Sequence, residues 1–222
     1  MIELVGSATE RTTAATDAAL GLLAAAGALH LARAVPSSFA RRIWQAALLA
    51  LSLASALGAI AHGLVMSDAL REALWQPLYL LLGITMALFV VGAADAWNGE
   101  GTARRLLLPL LGLALVFYGI TRAAGGDFLV FVLFEAAALI FSLVVYLRLA
   151  YRRTRRGAGL MAVALAVSLA AGVVQASGPM SVRLVWAFDH NGIFHLLQLI
   201  GVTLLLLGLR LLLAPSDVGR SP

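Results

Sequence analysis

Seven apolar stretches divide this 222-residue chain almost from end to end, at about 17–35, 43–66, 74–94, 105–122, 128–150, 158–176 and 191–213. Each is about 18 to 24 residues long, which at 1.5 Å per residue matches the roughly 30 Å hydrocarbon layer of a bilayer. Hydrocarbon offers no water to satisfy backbone N–H and C=O groups, so each stretch must close its own hydrogen bonds as an α-helix. The expected fold is all-α: an integral membrane bundle of seven transmembrane helices, forming a single transmembrane domain over 1–222. The composition agrees, with 62% hydrophobic and only 12% charged residues and a mean hydropathy of +0.96. An ordinary soluble domain has about a quarter of its residues charged.

The first sixteen residues carry Glu3 and Glu10 against a single Arg11 and lack the basic start of a cleaved secretion signal. The absence of cysteine rules out a disulfide or a thiolate metal site. The absence of lysine rules out a retinal Schiff base, so a count of seven helices does not imply a rhodopsin. All sixteen basic residues are arginine, and their placement is asymmetric. Arg33, Arg41, Arg42, Arg104, Arg105, Arg148, Arg152, Arg153, Arg155, Arg156, Arg210 and Arg220 fall on one side of the expected bundle. Arg11, Arg71, Arg122 and Arg183 fall on the other. Twelve against four is a positive-inside bias, which predicts an external N-terminus and a cytoplasmic C-terminus in a bacterial inner (plasma) membrane. The net charge of +5 is thus a topology signal and does not point to a nucleic-acid partner.

Turn residues fall between the spans. Pro36-Ser-Ser38, Asn98-Gly-Glu-Gly101, Gly125-Gly-Asp127, Arg155-Arg-Gly157 and Ser177-Gly-Pro179 mark the boundaries. Trp44, Trp75, Trp97 and Trp186 lie near expected span ends, as an aromatic belt requires. Pro77 is expected in the first turn of the third span, where its missing N–H costs little, and Pro109 one turn into the fourth.

Against this apolar background a few polar residues stand out, because ionisable groups in hydrocarbon are expensive and mark function by default. The predicted topology gives each a depth. His62 and His195 lie about 6 Å below the outer surface, Glu135 near 10 Å, and His190 at the mouth. Asp17 starts the first span at the same end. Asn191, His195 and Gln198 share one face of the last span, as do Ser55, Gly58 and His62 on the second, with Gly58 leaving space below the imidazole. Two imidazoles, a carboxylate and a further donor suit an open catalytic zinc site, which holds a water and lowers its pKa toward about 7. The expected metal ligands are His62, His195 and either His190 or Glu135, with Gln198 or Ser55 orienting a carbonyl or a ligand.

Simpler roles compete with this one. His62 and His195 can hydrogen-bond between helices, and His190 can be a solvated loop residue in Phe188-Asp-His-Asn191. Asp17 can cap the first span, and Glu135 can pair with Arg122 or stay protonated. His30 and Asp95 sit at the far ends of their spans, away from the cluster.

Ala61-His62-Gly63 and His190-Asn-Gly-Ile-Phe-His195 resemble elements of a superfamily of seven-helix membrane hydrolases: alkaline ceramidases, progestin/adiponectin-receptor proteins and haemolysin III relatives. That resemblance implies a zinc site built by the second and seventh spans. The chain departs from the pattern in three ways. Its last-span histidines are spaced i, i+5 instead of i, i+4. Gly58 stands where the second span carries serine. The third-span aspartate has no counterpart at the right depth, so Glu135 or Asp17 must replace it. The set Thr12-Thr-x-x-Thr-Asp17, Ala61-His-Gly63 and His190-Asn-x-x-x-His-x-x-Gln198 also resembles a bacterial seven-helix membrane family of unknown function.

These observations lead to an expected zinc-dependent intramembrane hydrolase of a lipid amide or ester, with its site near the outer leaflet and Glu135 or Asp17 as general base. The alternative is a non-enzymatic membrane protein that binds haem, metal or a small ligand.

Overall fold

The computed structural model describes residues 3–126, 128–178, 180–183 and 185–214. Asp127, Pro179 and Arg220 lie outside the described residues. Seven helices are long and apolar enough to cross a membrane: α1 (Ala8–Ala34), α2 (Phe39–Gly63), α3 (Asp68–Asn98), α4 (Glu100–Ala123), α5 (Phe128–Tyr151), α6 (Ala158–Ala176) and α7 (His190–Leu212).

Two helices start well before the bounds that hydropathy suggests, and α2 and α4 start about a turn early. The first begins at Ala8 and not near 17, because Ser7 accepts a hydrogen bond from the Glu10 amide at 3.3 Å and so caps it. The third begins at Asp68 and not near 74, capped in the same way by Ser67 and the Leu70 amide. Pro77 therefore lies inside α3, past its first turn, and leaves the Ala73 carbonyl without its helical donor. Pro109 is likewise deeper in α4 than expected, because that helix starts at Glu100.

The connection from α6 to α7 holds a short antiparallel hairpin, β1 (Ser181–Arg183) with β2 (Ala187–Asp189), pairing Val182 with Phe188. A second short pairing joins the N-terminal arm to the end of α2. There Val5 N–H donates to the Gly63 carbonyl and Val65 N–H to the Glu3 carbonyl.

Six helices close a ring in the order α1, α2, α3, α5, α6, α7, with α7 returning to α1. The fourth helix stands outside, packed mainly on α3, and leaves Leu108, Leu113, Leu115, Val116 and Ile120 exposed. Large side chains pack the ring at the end where α1 finishes. Trp44 is fully buried there, its ring tilted against Phe89 at 5.2 Å. Gly92 makes the room: a Cβ at that position would fall 2.6 Å from the indole. Trp44 is thus a core residue and not part of an interfacial belt, whereas Trp97 and Trp186 are exposed.

Candidate functional site

At the opposite end, where α1 begins, the ring encloses a cavity of about 340 Å³. All six ring helices line it, α3 chiefly with aromatic and apolar side chains besides Thr85, and α4 contributes none.

The first helix organises one side. Glu10, Thr13 and Asp17 are spaced i, i+3, i+7 and so lie on one face. Each reaches a different partner. Glu10 Oε2 is 2.7 Å from His62 Nδ1 on α2. Thr13 donates to Asp189 at 3.0 Å, and that same carboxylate caps α7 by accepting from the Gly192 amide at 2.8 Å. Asp17 Oδ1 lies 3.3 Å from His195 Nε2, while His195 Nδ1 is 3.3 Å from the Thr16 hydroxyl. Next to them Thr12 donates to the Ala187 carbonyl at 2.7 Å.

Asp17 is therefore not a helix cap. It sits in the third turn of α1 and is only 5% exposed. Gly58 makes its position possible, because a Cβ there would meet Asp17 Oδ2 at 2.6 Å. The space left by Gly58 thus accommodates the carboxylate of α1, where the sequence pointed to the imidazole of His62.

The seventh helix contributes His190, Asn191, His195 and Gln198 to the wall. His190 is the first residue of α7 and not a loop residue, and its Nδ1 is buried without a hydrogen-bond partner. Asn191 accepts from the Gln175 amide of α6 at 2.9 Å. Gln198 Oε1 accepts from the Ser168 hydroxyl at 3.0 Å. From α2 come Ser55 and His62, and from α3 Trp75 and Tyr79, whose rings stack at 5.7 Å. Trp75 also meets His62 edge-on at 5.5 Å.

Glu135 differs from the rest. It is 5% exposed and lines the cavity from α5, yet no hydrogen bond or ion pair joins it to any described residue. Pairing with Arg122 does not occur among the described residues. On α6, a Cβ added at Gly172 would be 3.8 Å from Glu135 Oε2.

The expected zinc ligands do not assemble. Among the described residues no three His, Asp or Glu side chains are gathered so that they could hold a metal ion. Asp17 and His195 form one pair, His62 turns its Nδ1 to Glu10, and Glu135 stands alone. Pairs fall short of the three protein donors of a catalytic zinc site, so the side chains as arranged do not fit zinc.

Sequence reasoning passed over Glu10, Trp75, Tyr79 and Ser168. For Glu10 a signal was present: Ser7-x-x-Glu10 is a capping-box pattern, and Glu10 stands seven residues before Asp17. The aromatic pair Trp75 and Tyr79 is spaced i, i+4 but reads equally as core.

Across residues 12–214 the chain matches, and belongs to, the family described as a family of unknown function, DUF6962. No curated protein and no solved structure matches it significantly.

Proposed function

We propose that this chain is an integral membrane protein that binds a small amphiphile in the cavity within its helix ring, with the site toward the outer leaflet. The arginine asymmetry supports that orientation, since it places the start of α1 outside. The observation that carries the reading is the cavity itself. At about 340 Å³ it falls within the roughly 300–1,000 Å³ of small-molecule sites, and its wall is segregated. Hydrogen-bonding groups of α1, α2 and α7 cluster at one end, while Leu20, Phe89, Val202 and Leu205 line the other. A molecule with a polar head and an apolar body matches that division.

The test uses the purified full chain in dodecyl maltoside and titrates octan-1-ol, following intrinsic tryptophan fluorescence, to which Trp75 contributes from the cavity wall. Binding is expected to saturate and to be lost in Ala54→Phe, which fills the cavity from α2. Non-saturable binding, or equal binding by a folded Ala54→Phe, would overturn the reading.

A second reading, hydrolysis of a lipid amide or ester, is favoured by the Asp17–His195 pair. With both imidazole nitrogens engaged, Nε2 by Asp17 and Nδ1 by Thr16, the Asp17 carboxylate is the group left to take a proton from water. Turnover of fluorogenic short-chain esters and amides tests it, with Asp17→Asn expected to abolish the rate. A wild-type rate equal to the buffer rate removes it.

A further inference from the structure

We infer that the cavity takes an organic ammonium, a positively charged nitrogen on an apolar body, with Glu135 as its counter-ion. The inference rests on the amphiphile-binding reading and names the head group.

The starting point is the cost of Glu135. A carboxylic side chain buried away from water is unfavourable unless it is hydrogen-bonded or paired. Every other acid of this site has a partner: Glu10 has His62, Asp189 has Thr13 and the Gly192 amide, and Asp17 has His195. Glu135 has none among the described residues, although it is 5% exposed and lies on the cavity wall. The missing partner has to come from what enters the cavity.

The surroundings select its charge. The chain carries sixteen arginines, and none of the described ones lines this cavity. The two carboxylates of the wall, Asp17 and Glu135, therefore face the space without a permanent cation to balance them. An anionic head, such as a fatty-acid carboxylate, would find no permanent cation there to pair with. A bare metal ion would need several oxygen or nitrogen donors at one point, and no three acidic or histidine side chains are so placed among the described residues.

The rest of the wall fits a nitrogen cation with hydrocarbon attached. Phe131 lies one turn before Glu135 on the same helix face, and the Trp75–Tyr79 stack lines the α3 side. Aromatic faces attract ammonium groups, more so when water is excluded. On the α6 side Gly172 adds no side chain, and even a Cβ there would stay 3.8 Å from Oε2.

The experiment compares three probes of equal chain length on the full chain in dodecyl maltoside, below their own micelle concentrations: octylammonium, octan-1-ol and octanoate. The expected result is octylammonium binding about tenfold or more tighter than octanol, the margin of a charge-assisted contact over a neutral one, with octanoate weakest. In Glu135→Gln, octylammonium should fall to the level of octanol, while binding of octanol that is still saturable shows that the cavity has survived. Should Glu135→Gln not fold, Gly172→Leu reads the same loss, because it keeps the carboxylate and covers it. Equal binding of octylammonium and octanol by the wild type would overturn the inference. So would tighter binding of octanoate, or a preference for ammonium that persists in Glu135→Gln. If neither octanol nor octylammonium binds saturably, the amphiphile reading falls and this inference with it.

Discussion

Gly58 is the position where a single methyl group tests the architecture of the site. Its added Cβ would fall 2.6 Å from Asp17 Oδ2 and 3.0 Å from Asp17 Cγ, closer than real Cβ contacts allow. In Gly58→Ala the Asp17 carboxylate must move, and moving it breaks the 3.3 Å approach to His195. Overpacking of this kind costs about 1–3 kcal/mol. Alanine in place of glycine inside a helix returns about 0.5–1 kcal/mol. The net expectation is a loss of up to about 2.5 kcal/mol. In an Asp17→Ala background the obstruction is gone and only the helix gain remains, so the same substitution should stabilise by about 0.5–1 kcal/mol. The sign reverses between backgrounds. Reversible unfolding in mixed dodecyl maltoside and dodecyl sulfate micelles, followed by far-ultraviolet circular dichroism for the four proteins of the cycle, measures it. Effects of Gly58→Ala that agree within about 0.5 kcal/mol in both backgrounds would mean additivity, and would refute the claim that Gly58 exists to admit Asp17.

Three further outcomes are expected. Asp189→Ala removes both the α7 cap and the tie to Thr13 and should cost about 1–3 kcal/mol by the same unfolding assay, with Asp189→Asn retaining most of the stability. Glu10→Ala should cost less than about 1 kcal/mol despite the 2.7 Å contact with His62, since Glu10 is 38% exposed and water screens the pair. Reporter fusions after Pro222 and within the Arg152–Arg156 loop should both report a cytoplasmic location, and an external signal from either would invert the proposed outer-leaflet placement of the cavity.

The seven helices were legible because the requirement they satisfy is crude: enough apolar residues in a row. What hydropathy could not read was where helices exceed that minimum. The first two turns of α1 hold Glu10, Arg11 and three threonines, and the first two turns of α3 hold Asp68, Arg71 and Glu72. Polarity there masked caps that local chemistry announces, at Ser7 and Ser67. The hairpin before α7 was missed for a related reason. Val182, Phe188 and their neighbours form too short a run to stand out beside spans of twenty apolar residues. The exclusion of α4 from the ring left no mark in hydropathy either, because lipid and protein neighbours are equally apolar and α4 meets the same transfer condition as the buried helices.

For the site, the late start assigned to α1 had the larger consequence. Beginning that helix near 17 made Asp17 look like a cap and left Glu10 in an unstructured tail. Beginning it at Ala8 puts both acids on one helix face two turns apart, with Thr13 between them. One stripe of α1 then reaches α2 through His62, the β2–α7 junction through Asp189, and α7 through His195. His62 and His195 are thus each held against an acid of α1 and not drawn together on a metal. Glu135, on α5, lies across the ring from that stripe and shares none of its bonds. A site whose other acids are all satisfied within the protein has one carboxyl group left to meet a ligand, and that group is the one whose substitution discriminates most sharply between ligand binding and architecture.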